Sequence, residues 1–470
     1  MIINPKTRIE RDSLGELEVP EDAYYGVQTR RAMYNFPVSG RRERPEFVRA
    51  YILVKKAASI ANMELGVLDE KRGNAIVKAA DEVLEGLSGR YHDQFPVDVF
   101  QAGAGTSFNM NVNEVLANRA LELLGRKRGD YAFLSPNDHV NKAQSTNDTF
   151  PTASHIAVIF AGERLLDVLS GLSDAFREKA VEFSQIPKSG RTHLMDAVPV
   201  SLGAEFGAYA SSLERAGSRI EERLGDLLEL PIGGTATGTG ANTHPQYRET
   251  VISKLTRLCS LPFHPALDSF EVLQSRSQLA AFSGALRELA LELIRIANDL
   301  RLLNAGPTTG ISEIVLPPVQ PGSSIMPGKY NPVMAECLDM IGFQIVGNDT
   351  TVAMAAQAGQ LELNVMTPVM TCNILESIAL LTNYLPVFRE RCVEGIKANE
   401  DSCRAYLELN PILVTFLTPK IGYLKAAELA KEALERKVPV AEVAVMRGVL
   451  SKEEADELLE KKLLKPSAPK

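Results

Sequence analysis

One apolar seam constrains this chain more than any other feature. Leu279, Phe282, Leu286, Leu289, Leu293, Ile296, Leu300 and Leu303 recur at alternating steps of three and four residues, which places them on one face of a single α-helix. Comparable runs cover about 152–185, 197–229, 333–357 and 362–394, so five long helices are expected. At about 1.5 Å per residue, a helix of thirty residues is roughly 45 Å long. Rods of that length, with Gly162, Gly171, Gly203 and Gly207 allowing close approach, predict an all-α, mainly helical chain whose bundle also packs against other subunits. A homo-oligomer follows.

The 470 residues exceed one ordinary core, and three domains are expected. Residues 1–140 read as a mainly helical N-terminal domain, with helical patterns at about 45–87 and 109–124. Its charged, turn-rich opening from Arg8 has room only for short strands. Residues 141–397 form the central long-helix bundle, and residues 398–470 a small C-terminal helical domain. There Ser451-Lys452-Glu453-Glu454 has the form of a capping box that starts a last helix, before a frayed end over 465–470.

Lys plus Arg number 51 against 59 Asp plus Glu, a net charge of -8 with the basic residues scattered, so neither nucleic acid nor an anionic membrane is an expected partner. No stretch approaches the roughly 18 apolar residues of a membrane span, and the start lacks a signal-peptide core; the expected location is cytoplasmic. Five cysteines at wide spacings, with no CxxC, argue for reduced thiols rather than a disulfide framework or zinc cluster. The six histidines form no HExxH arrangement, and no metal-ligand set is expected.

Four polar clusters interrupt the apolar sequence at junctions between helical runs. They are Gly103-Ala104-Gly105-Thr106-Ser107-Phe108-Asn109-Met110-Asn111, Asn141-Lys142-Ala143-Gln144-Ser145-Thr146-Asn147-Asp148, Gly190-Arg191-Thr192-His193, and Gly322-Ser323-Ser324-Ile325-Met326-Pro327-Gly328-Lys329-Tyr330-Asn331-Pro332. Any one of them is more often a helix cap than a site. Together they bring Lys329, His193 and many neutral donors, which points to an anion-binding cavity assembled from distant segments. The last, with two glycines and two prolines, is a loop long enough to move. Gly233-Gly234-Thr235-Ala236-Thr237-Gly238-Thr239-Gly240 follows a helical run rather than a strand and lacks GxxxxGK[ST]. It reads as close backbone approach beside a cavity, not as a nucleotide loop.

These clusters resemble the site motifs of the aspartase/fumarase superfamily, and the similarity runs from Arg8 to about Leu459. The wording resembles the aspartase branch more than the class II fumarases. Tyr24-Tyr25-Gly26 stands for their Leu-Trp-Gly, Thr146 for their common Ser, and Gly347-Asn348-Asp349-Thr350-Thr351 follows the aspartase pattern. Two stretches depart from the family: Thr308 replaces a usual Arg, and 270–276 differs in wording.

The resemblance implies an anti elimination from a small dicarboxylate, L-aspartate giving fumarate and ammonia through an enediolate, without an organic cofactor. Class II fumarate hydration is the alternative, and a non-catalytic helical assembly a remote one. It implies Thr106, Ser145, Thr146 and Ser324 around the β-carboxylate, Thr192, Lys329 and Asn331 around the α-carboxylate, and Asn147 with His193 at the amino end. Ser323 would be the base in the signature loop 322–332; His193, with Glu336 as its matching partner, is the competitor because histidine is the commonest general base. The clusters near 106, 145, 192 and 323 are separated by long helices, so each cavity is expected to draw on more than one subunit, most simply in a tetramer; some members of the family respond to Mg²⁺.

Overall fold

A computed structural model describes residues 6–455; the expected continuation of the last helix beyond Ala455 and the expected frayed end at 465–470 lie outside the described residues. The few strands form four separate pairs: β1 (Thr7–Asp12) with β2 (Gly15–Pro20), β3 (Pro187–Thr192) with β4 (Met195–Ser201), β5 (Glu229–Leu230) with β6 (His264–Pro265), and β7 (Ile314–Val315) with β8 (Lys397–Ala398). All are antiparallel except β5 with β6. Helices supply nearly all the rest. They are α1 (Val27–Asn35), α2 (Pro45–Glu64), α3 (Glu70–Glu85), α4 (Thr106–Leu123), α5 (Thr146–Glu182), α6 (Leu202–Asp226), α7 (Tyr247–Cys259), α8 (Ser269–Gln274), α9 (Ser277–Leu303), α10 (Val333–Ala356), α11 (Thr367–Phe388), α12 (Glu400–Leu409), α13 (Thr418–Ile421), α14 (Tyr423–Arg436) and α15 (Val440–Met446).

The five expected long helices are α5, α6, α9, α10 and α11, and all eight seam residues of α9 are buried. Several boundaries differ from the sequence reading, among them the start of α11, five residues later than expected. The run expected to turn helical at about 197 first completes β4, because the β-branched Val198 and Val200 flank Pro199, which cannot donate within a helix. Helix α5 begins six residues earlier than expected, since Ser145 and Asp148 hold its first turn upstream of Pro151. Helix α8 falls in the departing stretch 270–276 and is capped by Asp268, whose Oδ1 accepts from the NH groups of Phe270 and Glu271.

The described residues divide into two compact units. One holds residues up to Leu166 with Ser218–Glu288 and Phe343–Leu381; the other holds Asp167–Gly217, Leu289–Gly342 and residues from Thr382 on. In the first, Phe47, Tyr51, Phe108 and Phe150 form a buried aromatic cluster with ring centroids 4.7 to 5.9 Å apart. In the second, Phe176, Phe183, Phe206 and Tyr209 do the same, and residues from Leu407 to Ala455 bury a further apolar cluster. The capping box forms as expected: Glu454 accepts from the Ser451 NH at 2.8 Å, and the Ser451 hydroxyl from the Glu454 NH at 3.1 Å. Gly162 and Gly203 sit where a side chain would strike Leu224 and the backbone at Ala180, whereas Gly207 makes only ordinary contacts. Three of the five free cysteines are buried and two half-buried.

Candidate active site

In the first unit, the starts of α4 and α5 build one wall. Gly105 caps α4 at φ +86°, and a Cβ there would overlap the Phe150 ring, so only glycine fits. This puts Thr106, exposed, at the first position of α4. At the start of α5 the Ser145 NH donates to Asp148 Oδ1 at 3.0 Å, while the Asn147 NH donates to Ser145 Oγ at 3.2 Å. The other carboxylate oxygen of Asp148 accepts from the NH groups of Gly233 and Thr235, at 3.0 and 2.9 Å, and Asn147 Nδ2 donates to the Ala236 carbonyl at 2.8 Å. The glycine-rich turn is thereby pinned to α5, the close backbone approach expected of it. Burial pushes the Asp148 carboxyl up to about 6, against the pull of those three NH groups.

Thr106, Ser145 and Thr146 line one cavity of about 670 Å³, together with Asn109, Asn141, Gln144 and the turn residues Thr235 and Ala236. Both helices begin at this cavity, so the positive ends of their dipoles lie beside it, which suits a carboxylate. A second cavity of about 670 Å³ shares Gln28, Thr106, Met110 and Asn137 with it. Between them Gln28 is fixed by Glu114, whose buried carboxylate accepts from the NH groups of Gly26, Gln28 and Thr29.

Behind the wall lies a residue the sequence reading missed. Lys55 of α2 is fully buried, and its ammonium donates to Asn109 Oδ1 at 2.6 Å, Asn141 Oδ1 at 2.9 Å and Gln144 Oε1 at 2.9 Å. Burial pulls its pKa down from 10.5 to about 7, opposed by the charge of Asp148. The available signal was periodicity: Lys55 sits on the seam of Tyr51, Ala58, Ser59 and Asn62, where a lysine has no place in a bland core.

In the second unit, Thr192 and His193 occupy the exposed turn of the β3–β4 hairpin, with φ positive at His193 (56°) and Leu194 (60°), the twist a two-residue hairpin turn needs. The hairpin's base is held by buried charge. Lys188 pairs with Glu205 at 2.7 Å and with Glu313 at 3.0 Å, and Arg191 with Glu313 at 2.9 Å. Among the described residues no hydrogen bond joins His193 to Glu336, the partner expected of it.

The loop 322–332 closes on itself. The Gly322 NH donates to the Lys329 carbonyl at 2.8 Å, Asn331 Nδ2 to the Gly322 carbonyl at 2.7 Å, and Lys329 Nζ to Asn331 Oδ1 at 2.6 Å. Within it Ser323 Oγ accepts from the NH groups of Ile325 at 3.3 Å and Met326 at 3.0 Å. A serine oxygen held by two NH groups is one whose negative form is stabilised. Ser324 and Lys329 are exposed. The structure thus gathers Thr106, Ser145 and Thr146 on one cavity, with Asn147 tied to the turn beside it. Ser323, Ser324, Lys329 and Asn331 share one loop, and Thr192 and His193 share one turn. Thr308, the departure from the family pattern, is exposed.

Comparison with known proteins identifies the family. A lyase family profile matches residues 15–347, and a profile for the fumarase C C-terminus matches residues 413–464. An aspartate ammonia-lyase of a Bacillus species is 48% identical over 457 residues, 97% of each chain. That of Escherichia coli (strain K12) is 48% identical over 453 residues, 96% of this chain and 94% of the other. A fumarate lyase:delta crystallin from Brucella melitensis, solved bound to cobalt, superposes with a TM-score of 0.95 at 46% identity, covering 99% of this chain and all of the other. A class II fumarase from Schistosoma mansoni gives 0.92 at 39% identity, covering 98% of each chain. With motifs, fold and relatives in agreement along nearly its whole length, the chain belongs to the aspartase/fumarase superfamily of lyases.

Proposed function

We propose that the protein is an aspartate ammonia-lyase, converting L-aspartate reversibly to fumarate and ammonia. The observation that carries the reading is identity of 44–48% with aspartate ammonia-lyases across nearly the whole chain. The carbon beside the β-carboxylate is a very weak acid, so most of the catalysis must come from holding the charge that accumulates on the carboxylate oxygens. Ser323 Oγ takes that proton, the electron pair moves into the carboxylate to form the enediolate, and its return expels ammonia from the neighbouring carbon. The two NH groups on Ser323 Oγ support its role as base over His193. Thr106, Ser145, Thr146 and Ser324 hold the β-carboxylate, Thr192, Lys329 and Asn331 the α-carboxylate, and Asn147 with His193 the amino group.

The reaction is redox-neutral and forms no carbanion that the carboxylate itself cannot absorb, so an organic cofactor has no part in it; Mg²⁺ would act as an activator. Each site draws on more than one subunit of a homotetramer. The support is an unpartnered face on α10, where Met340, Phe343 and Met354 are about 60% exposed at helical spacing. No described helix is long and apolar enough to cross a membrane; the free cysteines suit a reducing cytoplasm.

Fumarate's ultraviolet absorbance, followed first with L-aspartate and then with L-malate, tests the reading. Turnover of aspartate is expected; turnover of malate alone would replace it with fumarate hydratase, the reading that the likeness to a class II fumarase keeps open. Light scattering that found an active monomer would remove the shared sites.

A further inference from the structure

Lys55 is a fully buried lysine with no carboxylate bonded to its side-chain nitrogen. Among the described residues no ion pair includes it, and its three N–H bonds end on three neutral carboxamide oxygens. Asp148 is the charged group whose field reaches it, but that carboxylate already answers to three backbone NH groups. An uncompensated buried ammonium is costly and persists where another charge balances it. All three carboxamides that hold Lys55, those of Asn109, Asn141 and Gln144, line the cavity shared by Thr106, Ser145 and Thr146. One side chain therefore separates the ammonium from the space where a carboxylate would sit.

We infer that Lys55 is the counter-charge to the negative charge that builds on the substrate's β-carboxylate, acting through Asn109, Asn141 and Gln144 without touching the substrate. It is a positioning residue. Away from water its field on the cavity is weakly screened, and it grows in effect as the carboxylate passes from one negative charge to two. The interaction is accordingly stronger at the enediolate than with the bound substrate, which lowers the barrier rather than merely tightening binding. The three neutral acceptors orient the ammonium and leave its charge unspent, which a carboxylate partner would not.

The inference rests on the elimination proposed above, and its test uses whichever of aspartate or malate the wild-type protein turns over. If the wild type turns over neither, the functional reading fails by itself. Given an active wild type, Lys55→Met should lower kcat about a hundredfold, the scale of removing one charge-stabilising group, while the dissociation constant of succinate, a dicarboxylate that cannot react, changes less than about fivefold. Unchanged kcat, or equal losses in kcat and in succinate affinity, would overturn it. Should Lys55→Met not fold, Asn109→Asp gives Lys55 a carboxylate partner in the same shape. The inference then expects a folded protein whose kcat drops well beyond its succinate affinity; full activity, or parallel losses, would overturn it.

Discussion

In the cavity wall around Thr106 and Ser145, polar groups are packed into the protein and engaged by neighbours far away in sequence: Asp148 by the turn at 233–235, Asn109 by Lys55 and Tyr51. In the loop 322–332 they are largely exposed and bonded within the loop. The wall is preorganised, so its donors need no rearrangement when charge develops. The loop holds together as a unit yet has little burial to keep it in place, which suits the part proposed for it. Substitutions in the wall should therefore register in stability as well as in turnover, and those in the loop in turnover alone.

The largest effect expected is at the loop. Ser323→Ala should lower kcat by ~100- to 10,000-fold, the range for a lost general base, with thermal unfolding and oligomeric state unchanged. Retained turnover in that variant would remove Ser323 from its role. The wall should respond the other way. Gly105→Ala forces a methyl group into the Phe150 ring at a left-handed φ, and a loss of roughly 3 kcal/mol in unfolding free energy is expected from denaturant titration. A smaller effect sharpens the comparison through pH. In the ligand-free protein Lys55 has a folded pKa of about 7 against 10.5 for the free side chain, so over that window the unfolded chain holds a proton the folded one lacks, and stability rises with pH; a bound dicarboxylate, whose charge Lys55 balances, returns that proton. Between about pH 7 and pH 9 this contributes on the order of 2 kcal/mol. Denaturant titrations along that range should show the rise in wild type, a shallower one in Lys55→Met, and flattening with succinate bound. The smallest effect belongs to Gly328→Ala. At φ +81° with open space around it, the change strains the loop by about 1 kcal/mol and should shift KM less than about fivefold, leaving global unfolding untouched.

Much of this was legible in the chain itself. The seam of α9 announced a long buried helix because helical periodicity is a local property, and the loop at 322–332 announced itself through its glycines, prolines and polar residues for the same reason. The helix starts carrying Thr106 and Thr146 were readable as caps, although only the resemblance gave their hydroxyls a substrate. Other features were hidden in pairings across the sequence. Nothing local tells that Asp148 clamps a turn eighty-odd residues away, that Val198 and Val200 would complete a hairpin before α6 begins, or that Glu313 would anchor β3 by two buried ion pairs.

Periodicity, capping chemistry and motif wording thus determined by themselves the helical class, the long helices and the loop, because each depends on neighbours within one or two turns. Only the tertiary structure decided that Lys55 is a core residue facing three cavity-lining carboxamides, and that Ser323 Oγ rests on two backbone NH groups. The first depends on the placement of donors and acceptors to a fraction of an ångström in a setting shielded from water, the second on the turn that the loop adopts. Hydrogen-bond geometry and burial, which fix the strength of those contacts, are properties of the packed chain rather than of any segment of it.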